Sequence, residues 1–172
     1  GNFKTETGQA YSGSVSVIMH HLNPSDPTIL DKMPGMLLAQ NSNGEQRVLE
    51  TYGMLNIEMR GSSSQKLQLT TSAQIEMPIA SSQLASSPTT IPLWHFDETL
   101  GYWKEEGLAT KQGTKYVGTV SHFSWWNCDV QFPTINLTVT VVNTVGSPLS
   151  NLKVALRRAS STYSVNGFTN NL

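Results

Sequence analysis

His122, Phe123 and Ser124 stand in a row, and that order of residue types could carry one reaction. The serine hydroxyl attacks the carbonyl of the residue before it, an ester replaces the amide, and the imidazole takes the hydroxyl proton as general base. The bond at stake is Phe123–Ser124, and water then hydrolyses the ester. A positioned base contributes on the order of 10²–10⁴-fold, far short of what a stable amide needs, so backbone strain and oxyanion donors must supply the rest. In a regular strand His122 and Ser124 share a face but lie about 6.6 Å apart, at roughly 3.3 Å per residue. Cleavage therefore requires a bulge or kink at Phe123, held by packing from Trp125 and Trp126. In a straight strand His122 is a core or cross-strand histidine.

Other residues suggest other chemistry. Trp94 and Trp103, two of four tryptophans in a charge-poor chain, could form a stacking platform for a glycan, since a sugar face needs flat apolar rings flanked by hydrogen-bonding groups. The same rings could equally fill a core. His20 and His21 are adjacent, and neighbours in a strand point to opposite faces, with no carboxylate or cysteine at ligand spacing. No metal and no cofactor is expected. Asp97, Glu98, Glu105 and Glu106 could pair as acid and base for glycoside hydrolysis, which needs carboxyls about 5–9.5 Å apart, but turn and surface roles suit them better. Cys128 has no partner in the sequence and reads as a small buried apolar residue.

The elements that would position these residues are strands. Alternation runs through Tyr11, Gly13, Val15, Val17 and Met19, the pattern of a half-buried strand, until Pro24 and Pro27 stop it and a loop runs over 22–35. A short apolar run over 36–40 leads into Asn43-Gly44, the pair favoured in tight hairpin turns. Residues 47–60 alternate with Leu49, Thr51, Gly53, Leu55, Ile57 and Met59 on one face, where Gly53 can mark a bulge. Residues 66–77 alternate again before a serine-rich stretch over 81–90, in which 83–85 form one helical turn at most. Residues 91–96 and 101–106 form a hairpin around a turn at 97–100, with Trp94 and Trp103 meeting across it. A turn is expected at 108–113, then one strand over 115–126. Past Asp129 residues 134–142 predict a β-branched strand, 145–148 a turn and 152–156 a further strand. Many short strands with turns between them predict an all-β antiparallel sandwich. The expected boundaries are a β-sandwich module over 1–130 and the first strands of a second, partial sandwich over 131–172.

The chain has 172 residues, enough to bury a core without staples, with 11 basic against 12 acidic residues and only 13% charged. That balance lacks the electrostatic footprint of a nucleic-acid binder. Abundant Ser, Thr, Asn and Gln with few charges suit an extracellular or envelope protein. No apolar run approaches the roughly 20 residues that span a bilayer, and the start carries no signal pattern.

Residues 93–97, 99–107 and 116–129 together resemble a module of bacterial cell-envelope lipoproteins and, more loosely, part of the cartilage intermediate layer protein family. In the bacterial proteins such a module precedes a carboxypeptidase-regulatory-like β-sandwich. Residues 136–172, with Gly167-Phe168-Thr169-Asn170, resemble the start of that sandwich. The resemblance implies an extracellular accessory or adhesion-like module, and with the composition it leads to the expectation of a non-catalytic extracellular or cell-envelope interaction or spacer module, its partner an unidentified protein or glycan. More narrowly, Ser121-His122-Phe123-Ser124 resembles the cleavage motif of autoproteolytic β-sandwich domains in inflammasome sensors, death-domain proteins and nucleoporins. That likeness implies self-cutting between Phe123 and Ser124, rather than turnover of an external substrate, as the alternative function. Asn136-Leu137-Thr138 matches a glycosylation sequon, incidental in a bacterial setting.

Overall fold

A computed structural model describes residues 3–135, 137–157 and 164–170. In chain order the elements are β1 (Phe3–Thr5), β2 (Ala10–Tyr11), β3 (Val15–Leu22), α1 (Ile29–Lys32), β4 (Leu38–Gln40), β5 (Gln46–Gly61), β6 (Lys66–Leu69), β7 (Ala73–Pro78), β8 (Thr90–Asp97), β9 (Tyr102–Gln112), β10 (Lys115–Val120), β11 (Trp125–Pro133), β12 (Lys153–Arg157) and β13 (Ser164–Phe168). The chain is all-β, with an 11-stranded, predominantly antiparallel sheet and a two-stranded one, and its buried side chains pack sandwich-like on the two faces of the large sheet. It divides into two compact units, Gly1–Thr134 and Ile135–Leu172.

β5 is the spine of the first unit. One of its edges pairs with β4 and then β3, the other with β11 and then β6. β11 continues to β8, β8 to β9, and β9 makes a short parallel ladder to β4, Ala39 opposite Trp103. Because β4 also pairs with β5, the strands β5, β11, β8, β9 and β4 close a hydrogen-bonded ring. β10 and β7 extend the sheet beyond β9.

The faces of this sheet carry separate apolar clusters. Leu49, Met54, Trp94 and Trp103 lie in one, with Leu22, Ile29, Met33, Leu37 and Ala39. Tyr52, Leu55, Ile57, Leu93, Tyr116, Trp126 and Cys128 lie in another. Leu49 and Met54 are an odd number of residues apart yet share a core, as do Tyr52 and Leu55, which strict alternation forbids. The cause is a bulge: between the pairs Asn127↔Met54 and Asp129↔Thr51 the spine holds one residue more than β11. Gly53 sits in it at φ +139°, where an added Cβ would lie 3.1 Å from Met77 Sδ. The glycine therefore does mark a bulge, but Leu49 faces away from Leu55, contrary to the single face expected of residues 47–60. Gly53→Ala is expected to destabilise the fold by about 1–3 kcal/mol, the cost of a non-glycine residue in sparsely allowed backbone. Urea denaturation measures it, and an unchanged midpoint would mean the bulge relaxes freely.

Several expected strands differ. The segment expected as one strand over 66–77 is two, β6 beside β1 and β5, and β7 beside β10. The turn expected at 108–113 is part of β9, and the next turn sits at 113–114. A one-turn helix, α1, interrupts the loop expected over 22–35. β3 exists and its ends, Val15 and Leu22, pack against apolar clusters, but Val17, Ile18 and Met19 in its middle are all exposed, paired with β5 and covered by no second layer among the described residues. Residues 134–142 form no strand among those described; Leu137 and Val139 are exposed, and the segment offers one isolated bridge, Val142 to Pro148. β-branched composition favours a strand only where a neighbour packs against it. Asn136, the sequon's acceptor, lies outside the described residues. In the second unit β12 and β13 pair antiparallel, Lys153 opposite Phe168, and Gly146 N donates to Asn143 O at 3.0 Å in a turn.

Candidate functional site

The strand expected over 115–126 is two strands joined by a corner at 121–124. β10 lies between β9 and β7, whereas β11 lies between β5 and β8, so the chain must change neighbours here. Side-chain and main-chain bonds fix the corner. The Trp126 indole N–H donates to His122 O at 3.1 Å, Ile57 N donates to Ser124 O at 3.0 Å, and the Ser121 hydroxyl donates to Glu106 Oε1 at 2.6 Å. Phe123 packs against two of the apolar clusters.

His122 does not face Ser124. Its Nε2 lies 3.4 Å from Glu106 Oε2, and its ring lies 5.0 Å from that of Trp126. The Ser124 hydroxyl donates to Trp125 O at 3.3 Å. The corner thus supplies the bend that self-cleavage needs, while the base and the nucleophile are engaged elsewhere.

Glu106 gathers a second imidazole. In the β8–β9 hairpin His95 is directly opposite Lys104, so Glu106, two residues further along on the same face, is its diagonal neighbour, within reach of a long side chain. His95 Nδ1 lies 3.1 Å from Glu106 Oε2 but is not aligned for a hydrogen bond, and this buried nitrogen has no other partner. Trp126 stands opposite His95 in register on the other side, and the two imidazole rings meet edge to face at 5.0 Å and 87°. Burial lowers the His95 pKa, and the nearby His122 lowers it further. Burial opposes ionisation of Glu106, but the Ser121 hydroxyl and the two imidazoles outweigh it and hold the carboxyl below the usual glutamate range.

The remaining candidates take structural places. Trp94 and Trp103 are both 0% exposed, so neither can present a ring face to a sugar. Trp94 donates its indole N–H to Asp129 O at 3.1 Å. Trp94 and Trp103 share one apolar cluster without being directly opposite: in register Trp94 pairs with Glu105, and Trp103 with Phe96 at 5.3 Å between ring centroids. Asp97 Oδ1 accepts from Thr99 N and Leu100 N and closes the hairpin turn, while Glu105 Oε2 accepts from Ser42 N at 2.9 Å. His20 and His21 lie opposite Asn56 and Leu55 on β3. Cys128 is free and buried, and burial pushes its thiol pKa up.

Sequence reasoning did not bring His95, Glu106 and His122 together. Their separations of 11 and 16 positions match no ligand spacing; the signal available was the hairpin register around Asp97, which places His95 diagonal to Glu106.

The chain is 29% identical over 117 residues to Cartilage intermediate layer protein 2 of Homo sapiens, covering 66% of this chain and 10% of the relative. It is 26% identical over 114 residues to the Mus musculus protein of the same name. To Cartilage intermediate layer protein 1 of Homo sapiens it is 23% identical over 106 residues, covering 62% of this chain and 9% of the relative. The chain therefore spans about a tenth of the length of these curated relatives. No family model and no solved structure matches. Among the described residues no helix is long and apolar enough to cross a membrane.

Proposed function

We propose that the chain is an extracellular interaction or spacer module. The observation that carries the reading is the similarity over 66% of the chain to a cartilage intermediate layer protein. The residues that looked reactive also have structural employment: Trp94 and Trp103 fill a core, Asp97 caps a turn, and Glu105 holds a loop. Contact with a partner falls to β3, whose Val17, Ile18 and Met19 are exposed on a strand that pairs with β5 along one edge. Such an edge accepts an extended segment of another protein. A labelled chain is expected to be retained on extracellular matrix laid down by cultured cells, and Ile18→Lys with Met19→Lys to release it. Equal retention of the double variant, or no retention of the parent, overturns the reading.

The cell-envelope setting is the other form of this reading, supported by the residues around Trp94 and Trp103 that resemble bacterial lipoproteins. For the second unit, the start of a carboxypeptidase-regulatory-like sandwich is supported by the β12–β13 hairpin, whose Thr169 closes it by accepting from Asn151 N at 2.7 Å and donating to Leu152 O at 3.0 Å.

Self-cleavage at Phe123–Ser124 is the second reading, favoured by the corner at 121–124 and by the carboxylate beside His122. If it operates, intact-mass measurement after prolonged incubation yields two fragments, one ending at Phe123 and one starting at Ser124, and Ser124→Ala abolishes them. A single undiminished mass removes this reading.

A further inference from the structure

We propose that His95, Glu106 and His122 form a binding site for a divalent late transition metal of the zinc type, with solvent completing the coordination. The three donor atoms lie within 4.8 Å of one another. Zinc holds imidazole nitrogen and carboxylate oxygen at about 2.0–2.2 Å in a tetrahedron, so its donors sit roughly 3.3 Å apart. Glu106 Oε2 is 3.1 Å from His95 Nδ1 and 3.4 Å from His122 Nε2, so two edges of that tetrahedron are already in place. The third, between the two nitrogens, closes by rotation of the His122 ring, the more exposed of the two imidazoles.

The surroundings suit a ligand set. His95 Nδ1 is buried without a hydrogen-bond partner, an unmet need that a metal would answer. The Ser121 hydroxyl occupies Glu106 Oε1 and leaves Oε2 to both imidazoles, the outer-shell arrangement that orients a ligating carboxylate. Trp126 walls the site beside both rings and holds the His122 carbonyl. Glu106 and His122 are each about a third exposed, so an ion and its water can enter. Two imidazoles with one carboxylate select a metal that accepts nitrogen; calcium and magnesium take oxygen ligands. The bound ion would tie the β10–β11 corner to the β8–β9 hairpin, and it would occupy the imidazole that self-cleavage needs as a base.

The test is titration of chelator-treated full chain with ZnCl2 by calorimetry, beside Co²⁺ titration followed by visible absorption. Binding of one ion per chain is expected, with a visible Co²⁺ spectrum on the unaltered protein and no response to CaCl2 or MgCl2. Glu106→Gln and His122→Asn should each weaken zinc by about 100-fold or more, and Ser121→Ala by roughly 10-fold, as loss of an outer-shell partner does. Circular dichroism of the metal-free variants reports that they fold. His20→Asn with His21→Asn should bind as the parent does. No ion bound by the parent, affinity lost with His20 and His21, or affinity unchanged in folded Glu106→Gln and His122→Asn each overturns the proposal.

Discussion

Trp126→Ala is expected to lower unfolding stability by about 3–5 kcal/mol, the range for truncating a fully buried large aromatic. Trp126 is 0% exposed, lies in the cluster with Leu93, Tyr116 and Cys128, and its indole N–H is the bond that holds His122 O. Two contributions therefore fall together, and a second variant separates them. Trp126→Phe keeps a ring in the cavity and removes the N–H, so it should cost about 1–2 kcal/mol, from a part-buried acceptor left without its donor and some loss of packing. Urea melts of both variants measure the split. If Trp126→Ala costs no more than Trp126→Phe, packing at this position is loose; if Trp126→Phe costs nothing, the indole N–H does not anchor the corner.

Asp129→Asn is expected to stabilise the protein at neutral pH relative to the parent. The Asp129 side chain is fully buried. Asn127 Nδ2 donates to its Oδ2 at 2.5 Å, and Thr51 Oγ1 in turn donates to Asn127 Oδ1 at 2.8 Å, while Asp129 Oδ1 lacks an aligned donor. Burial raises the Asp129 pKa well above the ordinary aspartate value, more than the polar groups of Thr51, Tyr52 and Asn127 beside it lower it. A raised folded-state pKa fixes the sign: below the unfolded value of about 3.9 both states hold the proton, and as pH rises from there toward the folded value the unfolded chain ionises while the native one does not. The parent's stability from this group is full at acid pH and is lost on that rise. Asparagine resembles the protonated acid and does not titrate. The two proteins should be nearly equal near pH 4, and the Asp129→Asn variant should gain about 1–3 kcal/mol by pH 7, the scale of a buried polar group short of partners. Subtracting the two stability curves cancels the carboxylates that both share, including Asp26, Asp97 and Glu106, whose lowered pKa values push the other way. A difference that is flat from pH 4 to pH 7 refutes the assignment.

Much of the fold was legible in local chemistry. Asn43-Gly44 turns β4 into β5, with Gln40 opposite Gln46, and Asp97 turns β8 into β9. What alternation could not reveal is whether anything covers a face. Val15, Val17 and Met19 alternate as cleanly as a core strand, yet of these only Val15 packs against a core among the described residues, and Val17 and Met19 are exposed. The corner at 121–124 was hidden for a different reason. Tyr116 and Val120 before it and Trp126 and Cys128 after it occupy even positions and share one core, so the hydrophobic phase passes through the break unchanged. The bulge at Gly53 shows the converse, since there the phase shifts inside one strand. The cluster of His95, Glu106 and His122 depends on both devices, a diagonal in one hairpin and a turn between two other strands, and neither leaves a spacing to read. Rare residues were the misleading signal: Trp94 and Trp103 drew attention to ligand stacking, although large aromatics are most valuable where they bury most surface.

The closure of the ring through β4 has a mechanical consequence. A closed circuit of strands has no end from which to unzip, so a pull along the chain must first break one of its seams. The seams are unequal: β5 with β11 and β8 with β9 are long ladders, whereas β4 meets β9 at Ala39↔Trp103 and Gln40↔Lys104 alone. In a module under tensile load that short parallel seam is the fuse, parting before the long antiparallel ladders and leaving them intact to carry the strain.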